Sequence, residues 1–210
     1  MVIAIDGPAG SGKSTIARML AKGLGYSYIN SGRFYRALTL KCLRKTIDFN
    51  DRKAVEKTAL DSTVSWADNR IFLDGEDVDS QLQTDLIDLH VAALSSIIPI
   101  RHKVNALVRE IALNHQIVVE GRDMTTVVFP DAEFAFYLDA SPESRARRRY
   151  QQGVSSLTYE EILKSIIARD ELDKNKEEGS LKIAPHVEYL DSSDLTIEQV
   201  YDRLVRKIQL

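Results

Sequence analysis

Gly7, Pro8, Ala9, Gly10, Ser11, Gly12, Lys13, Ser14 and Thr15 form an unbroken run with the pattern GxxxxGK[ST]. Together these residue types suit one task, the holding of a chain of phosphates. The glycines permit turns that a side chain would block, so that loop N–H groups converge on an anion. Lys13 reaches β- and γ-phosphates, and the Ser14 hydroxyl is an oxygen donor for Mg²⁺. An ordinary glycine-rich turn is the alternative, but the context favours a phosphate site. The apolar run 2–5 reads as a strand, and the pattern from Ile16 to Leu24 reads as a helix whose N-terminus adds to the attraction for an anion. An ATP or GTP site follows from this loop; the acceptor does not.

Other charged runs offer anion chemistry. In NSGRFYRA, residues 30–37, Ser31 and Arg36 lie just past a second apolar run. The Arg36 guanidinium either clamps a phosphate bidentately or is a solvated helix-start arginine. In EGRDM, residues 120–124, Arg122 and Asp123 adjoin the β-branched run 117–119. They form a structural ion pair or, as a strand-end position favours, contact a ligand. In RARRR, residues 145–149, Arg145 and Arg149 are one helical turn apart, while Arg147 and Arg148 point elsewhere. A solvated face is the ordinary reading of such a run; a nearby triphosphate gives it a specific use. Arg169, Asp173 and Lys176 share a helix face at i, i+4 and i+7. They make either a simple ion pair or one wall of a site that closes.

The elements that must position these residues read as an α/β fold. Five apolar runs, at 2–5, 26–29, 117–119, 134–138 and 187–190, alternate with helical patterns. That alternation predicts a five-stranded parallel sheet flanked by helices, in a single domain spanning 1–210. Ligands bind beyond the carboxyl ends of such strands, where the polar runs fall. Residues about 37–105 are too long for a simple crossover and read as an inserted subdomain. It should hold a helix near 51–60, a hairpin of 64–66 and 71–73 turning at Asp68-Asn69, and a helix near 84–96. Residues about 150–181 are charged, carry Gly153 and Gly179 near their ends, and read as a helical lid.

Composition removes several function classes. A net charge of −3, with no interleaving of aromatic and basic residues, argues against a nucleic-acid polymer as partner. The single cysteine, Cys42, excludes an intramolecular disulfide and reads as a buried thiol between Leu40 and Leu43. The four histidines lack metal-ligand spacing. No run is long enough to span a membrane. With the first strand starting at Val2 no signal peptide is expected, and the cytoplasm is the expected location.

Taken together, the runs resemble the bacterial cytidylate kinase family of the nucleoside monophosphate kinase group. The matching pieces are IAIDGPAGSGKST, SG..YRAL, LDGEDV, VVEGRDMTTVVFPDAEF, YLDASPESRARRRY, RDELD and LDSSDLTIEQV, in order from end to end. The resemblance implies a P-loop NTPase core, an NMP-binding insertion and a lid. It implies transfer of the γ-phosphoryl of ATP to CMP or dCMP, with Mg²⁺; separately, the chain is expected to be a monomer. By resemblance Lys13 and the loop amides hold ATP, with Ser14 near Mg²⁺. Arg36 and Arg122 hold the acceptor's α-phosphate, Arg101 and Asp123 read the cytosine edge, and Ser31 lies beside the base. Arg169 and Asp173 engage the ribose, and Arg145 and Arg149 close over the transferring phosphoryl. The chain departs from the family pattern at several positions. Asn30 stands for an aspartate, Arg33 for a small residue, Ala92 for a serine, Thr125 for a glycine, Lys176 for a third phosphate-clamp arginine and His186 for an aspartate. Ser96, four residues past Ala92, is expected on the same helix face. Two further readings are a P-loop kinase with a shifted nucleotide acceptor and a nucleotide-binding regulatory protein with weak activity.

Overall fold

A computed structural model describes residues 1–153 and 157–209. In chain order it contains β1 (Val2–Asp6), α1 (Lys13–Leu24), β2 (Ser27–Asn30), α2 (Ser31–Arg44) and α3 (Arg52–Asp61), then β3 (Val64–Ala67), β4 (Arg70–Leu73) and β5 (Glu76–Asp77). After these come α4 (Asp85–Leu94), α5 (Ile98–Asn114), β6 (Ile117–Gly121), β7 (Phe134–Asp139), α6 (Pro142–Gln151), α7 (Tyr159–Lys174), β8 (Glu188–Asp191) and α8 (Ile197–Ile208). The chain divides into two units, one of residues 1–28 with 116–210 and one of residues 29–115.

The first unit is built on the five-stranded sheet, in the order β2-β6-β1-β7-β8. β1 pairs in parallel with both β6 and β7, so every β1 residue from Ile3 to Ile5 is fully buried. That is why β1 and β6 read as continuous apolar runs rather than as an alternation, whereas the apolar run at 187–190 marks β8, a largely exposed strand at the sheet edge. Ile3, Ile5, Ile16, Leu20, Val118, Phe136, Leu138, Val200 and Leu204 form one core cluster between the sheet, α1 and α8. α7 and α8 both start with a capping box, Thr158 with Glu161 and Thr196 with Gln199. Of the expected lid, residues 154–156 lie outside those described; the rest is the end of α6, all of α7 and the segment that follows.

The second unit packs α2 to α5 around an antiparallel sheet, β3-β4-β5. The hairpin expected at 64–66 and 71–73 is present, and Asp68 and Asn69 both take positive φ at its turn. Two features differ from expectation. A third strand, β5, joins β4 with both residues exposed, so it carries no apolar signal. α4 ends at Leu94, with Ser95 as its cap, so Ser96 shares no helix face with Ala92. The Ser96 hydroxyl instead donates to the Ala93 carbonyl at 2.6 Å. Lys103 of α5 donates to the carbonyls of Ala59 at 3.2 Å, Leu60 at 2.6 Å and Ser62 at 2.5 Å, capping the end of α3. Cys42 is fully buried, and burial pushes its thiol up to about 11.

Candidate active site

In the first unit the loop between β1 and α1 has the geometry its glycines allow. Gly7 takes φ 150°, and a Cβ there would collide with the Leu138 carbonyl oxygen. Gly12 caps α1 with φ 93°, a value that favours glycine. Lys13 is 4 % exposed and donates to the Pro8 carbonyl at 2.8 Å. The buried Ser11 hydroxyl has no hydrogen-bond partner among the described residues, which suits a loop built to receive phosphate oxygens. Ser14 lines the same space. A cavity of about 550 Å³ opens beside the loop, walled by Gly10–Ile16, Leu138, the end of α6 at Gln151 and Gln152, and Thr196 to Val200.

The electrostatics of the loop are set by burial. Burial pulls Lys13 down to about 7, and Arg122 adds to this, while Glu120, Asp6 and Asp173 oppose it. Glu120 is held in turn by the Tyr28 hydroxyl at 2.8 Å. Asp6, the last residue of β1, is fully buried, and burial raises its pKa to about 6. Three donors offset that rise: the Met124 amide at 2.9 Å, and the Thr125 amide and hydroxyl at 2.7 Å each. Thr125 belongs to a turn of π-helix, Met124–Val128, that follows Arg122 and Asp123.

Asp173 gathers three of the expected acceptor-site cations. Arg122 Nε lies 2.9 Å from its Oδ2, Lys176 Nζ 2.8 Å from its Oδ1, and Arg169 Nε 3.9 Å from its Oδ2. Burial alone would raise the Asp173 pKa, but Arg122, Lys176 and Arg169 outweigh it and hold the carboxyl far below the usual range. The Lys176 side chain is 7 % exposed, so this lysine is part of the cluster and not of the solvated surface. Asp123 is buried at the end of β6. One carboxylate thus keeps several cations together that an anionic ligand would otherwise have to assemble.

Arg145 of α6 is 2 % exposed, and its guanidinium is engaged by protein groups. It pairs bidentately with Asp170 of α7 at 3.0 and 2.5 Å, and donates to the carbonyls of Ala140 at 2.8 Å and Ala9 at 3.0 Å. It therefore ties the phosphate loop to both helices. Arg149, one turn on, is half-buried. Arg148, which the helical spacing points away, is the residue that sequence reasoning missed. It lines the cavity and binds the carbonyl and, at 3.2 Å, the hydroxyl of Ser192. Which arginine of such a run faces inward depends on how α6 is rolled, and only packing sets that.

In the second unit, Arg36 of α2 donates to the Leu82 carbonyl at 2.9 Å and pairs with Asp88 of α4. Arg101 is 3 % exposed, donates to the Ser95 carbonyl at 2.9 Å, and lies over the Tyr35 ring at 5.9 Å. Ser31 is buried at the start of α2. Arg33, one of the departures from pattern, pairs with Asp79 and donates to the Asn69 carbonyl at 3.0 Å.

Comparison with known proteins gives the family. A family model described as cytidylate kinase matches residues 3–210. The chain is 44% identical over 210 residues to a cytidylate kinase of Caldanaerobacter subterraneus, covering 99% of this chain and 94% of that one. It is 40% identical over 213 residues to a cytidylate kinase of Clostridioides difficile, covering 100% and 99%. By shape, it matches an uncharacterized protein from Eubacterium ventriosum, with a TM-score of 0.56 at 11% identity, covering 100% of this chain and 98% of that one. It also matches shikimate kinase from Bacteroides thetaiotaomicron, with a TM-score of 0.52 at 13% identity, covering 100% and 99%. At such identities the two structures speak for the fold alone.

Proposed function

The chain belongs to the cytidylate kinase family, and we infer from this that it is an ATP-dependent nucleoside monophosphate kinase acting on CMP or dCMP. The observation that carries the inference is the family match across residues 3–210. An oxygen of the acceptor's α-phosphate attacks the γ-phosphorus of ATP. The bond from that phosphorus to the β–γ bridging oxygen breaks, and ADP leaves with the electron pair. The attacking oxygen carries no proton, so no general base is required, and catalysis is positioning and charge neutralisation.

Lys13 supplies a buried positive charge toward the β- and γ-phosphates, and the loop amides with the Ser11 hydroxyl supply donors. Mg²⁺, when bound, would neutralise the β- and γ-oxygens, and the Ser14 hydroxyl is the oxygen donor of the loop that fits it. Arg36 and Arg122 hold the acceptor's α-phosphate. Asp123 accepts from the cytosine N4 amino group, where uracil presents a carbonyl, and Arg101 holds the same edge. Arg169 and Asp173 engage the ribose, Lys176 supports the phosphate clamp, and Arg145 and Arg149 act over the transferring group. Residues about 37–105 bind the acceptor and about 150–181 close as a lid. The enzyme works in the cytoplasm as a monomer; among the described residues no helix is long and apolar enough to cross a membrane.

A coupled ADP-release assay across CMP, dCMP, UMP, AMP and GMP tests this reading. The expected result is turnover with CMP and dCMP, and a kcat/KM for UMP lower by about 10-fold or more, the size of one well-placed base contact. Preference for a purine monophosphate, or no ADP release with any acceptor, would overturn it.

A further inference from the structure

Asp6 joins the two halves of the catalytic machinery in the first unit. It pairs in register with Gly121 of β6 and Tyr137 of β7, and Gly7 of the phosphate loop follows it directly. Its Oδ1 accepts from the Met124 amide, and its Oδ2 accepts from both the amide and the hydroxyl of Thr125. Thr125 is fully buried, two residues after Asp123 and three after Arg122. The carboxylate is thus a clamp between the phosphate loop and the strand end that carries Arg122.

The clamp requires charge. An ionised carboxylate accepts all three bonds as charge-assisted ones, whereas protonation makes its oxygens weaker acceptors and loosens them. Lys13 from α1, Arg122 and Asp123 from the segment after β6, and Tyr137 from β7 interact electrostatically with Asp6. The two cations favour its ionised form, while burial and Asp123 oppose it. Of the three donors onto Asp6 among the described residues, the side-chain hydroxyl of Thr125 is the one that depends on residue identity, because the other two are backbone amides.

We propose that Thr125 is a positioning residue for phosphoryl transfer: its hydroxyl keeps the buried Asp6 carboxylate charged and clamped to the 124–125 turn. This rests on the kinase reading, which places Lys13 and Arg122 on the reacting phosphates. Loss of the hydroxyl lets Asp6 take up a proton at higher pH, which loosens the turn and withdraws a negative charge that supports Lys13 and Arg122.

The test compares Thr125→Val, which keeps the branched shape, with Thr125→Ser, which keeps the donor. Thr125→Ala is a second hydroxyl-free variant should the valine protein not fold. Carbon-13 NMR of the aspartate carboxyls, with Asp6 assigned through Asp6→Asn, reads the titration directly and needs no activity. The Asp6 midpoint should rise by about one pH unit in the valine or alanine variant, the scale of one lost hydrogen bond to a charged group, and return with serine. The acid limb of kcat/KM for CMP should move by the same amount. An Asp6 midpoint unchanged without the hydroxyl overturns the proposal, and so does a serine variant that behaves like valine. Failure of the kinase reading is seen separately, as absence of turnover in the parent.

Discussion

Lys13 is a cation held where charge is costly, and the cost has a testable pH signature. Its pKa is drawn from 10.5 down to about 7, mainly by burial. Between those values the unfolded chain binds the proton and the folded chain does not, so this group makes the ligand-free protein more stable as pH rises from 7 toward 10.5. Urea midpoints at these two ends should differ in that direction, and Lys13→Met should flatten the difference. In turnover, Lys13→Ala should lower kcat by at least about 10²-fold, the scale for one lost charge-stabilising group. Lys176 gives a second prediction. Its ammonium is held on Asp173 at 2.8 Å, a point charge where a planar fork could grip both that carboxylate and a phosphate. Lys176→Arg should raise kcat/KM for CMP several-fold, about 1 kcal/mol, and Lys176→Ala should lower it, both read at fixed Mg-ATP with CMP varied. The sequence singles out Lys13 by its motif, Arg122 by its strand-end position and Asp173 by the helix face it shares with Arg169, and the contacts of Asp173 with Arg122, Arg169 and Lys176 are seen in the structure. Arg148 was not legible there, because the roll of α6 is a tertiary fact, and neither was the bond between Thr125 and Asp6, which joins residues 119 positions apart.

The helices α6 and α7 and the phosphate loop hang on one guanidinium. Arg145→Ala would leave Asp170 as an uncompensated buried carboxylate and free the Ala9 carbonyl from its donor. The expected loss is about 3–5 kcal/mol of stability, measured by denaturant unfolding, with ATP affinity falling alongside because the loop loses its anchor. Arg145→Lys should recover only part of this, since an ammonium cannot reproduce the bidentate pair. At this scale the sequence was read well wherever period or punctuation was strong. The five strands of the parallel sheet, the Asp68-Asn69 hairpin and α3 stand within a residue or two of their expected places, though β8 is largely exposed where an apolar run suggested burial. The misses have physical causes. β5 is two exposed acidic residues with no pattern, and α4 stops at Leu94 because Ser95 and Ser96 turn their hydroxyls back onto the carbonyls of Ala92 and Ala93.

Across the whole chain, the two units set what a ligand can report. If the second unit and the segment proposed as a lid both close, amide hydrogen exchange should slow in 29–115 and in 157–181 when ATP-site and CMP-site ligands are present together, and less with either alone. Equal protection with one ligand or two would argue for a rigid site. The first unit is also discontinuous, for residues 29–115 are interposed between β1 and both of its sheet neighbours. This matters on the ribosome. Val2–Asp6 is synthesised early but has nothing to pair with until Ile117–Gly121 and Phe134–Asp139 have emerged. The interposed unit has its hairpin and helices within its own residues, so its pairings need nothing synthesised later. The apolar β1 meanwhile waits with its backbone unpaired, the condition in which an apolar strand is open to misassociation while the chain is being made.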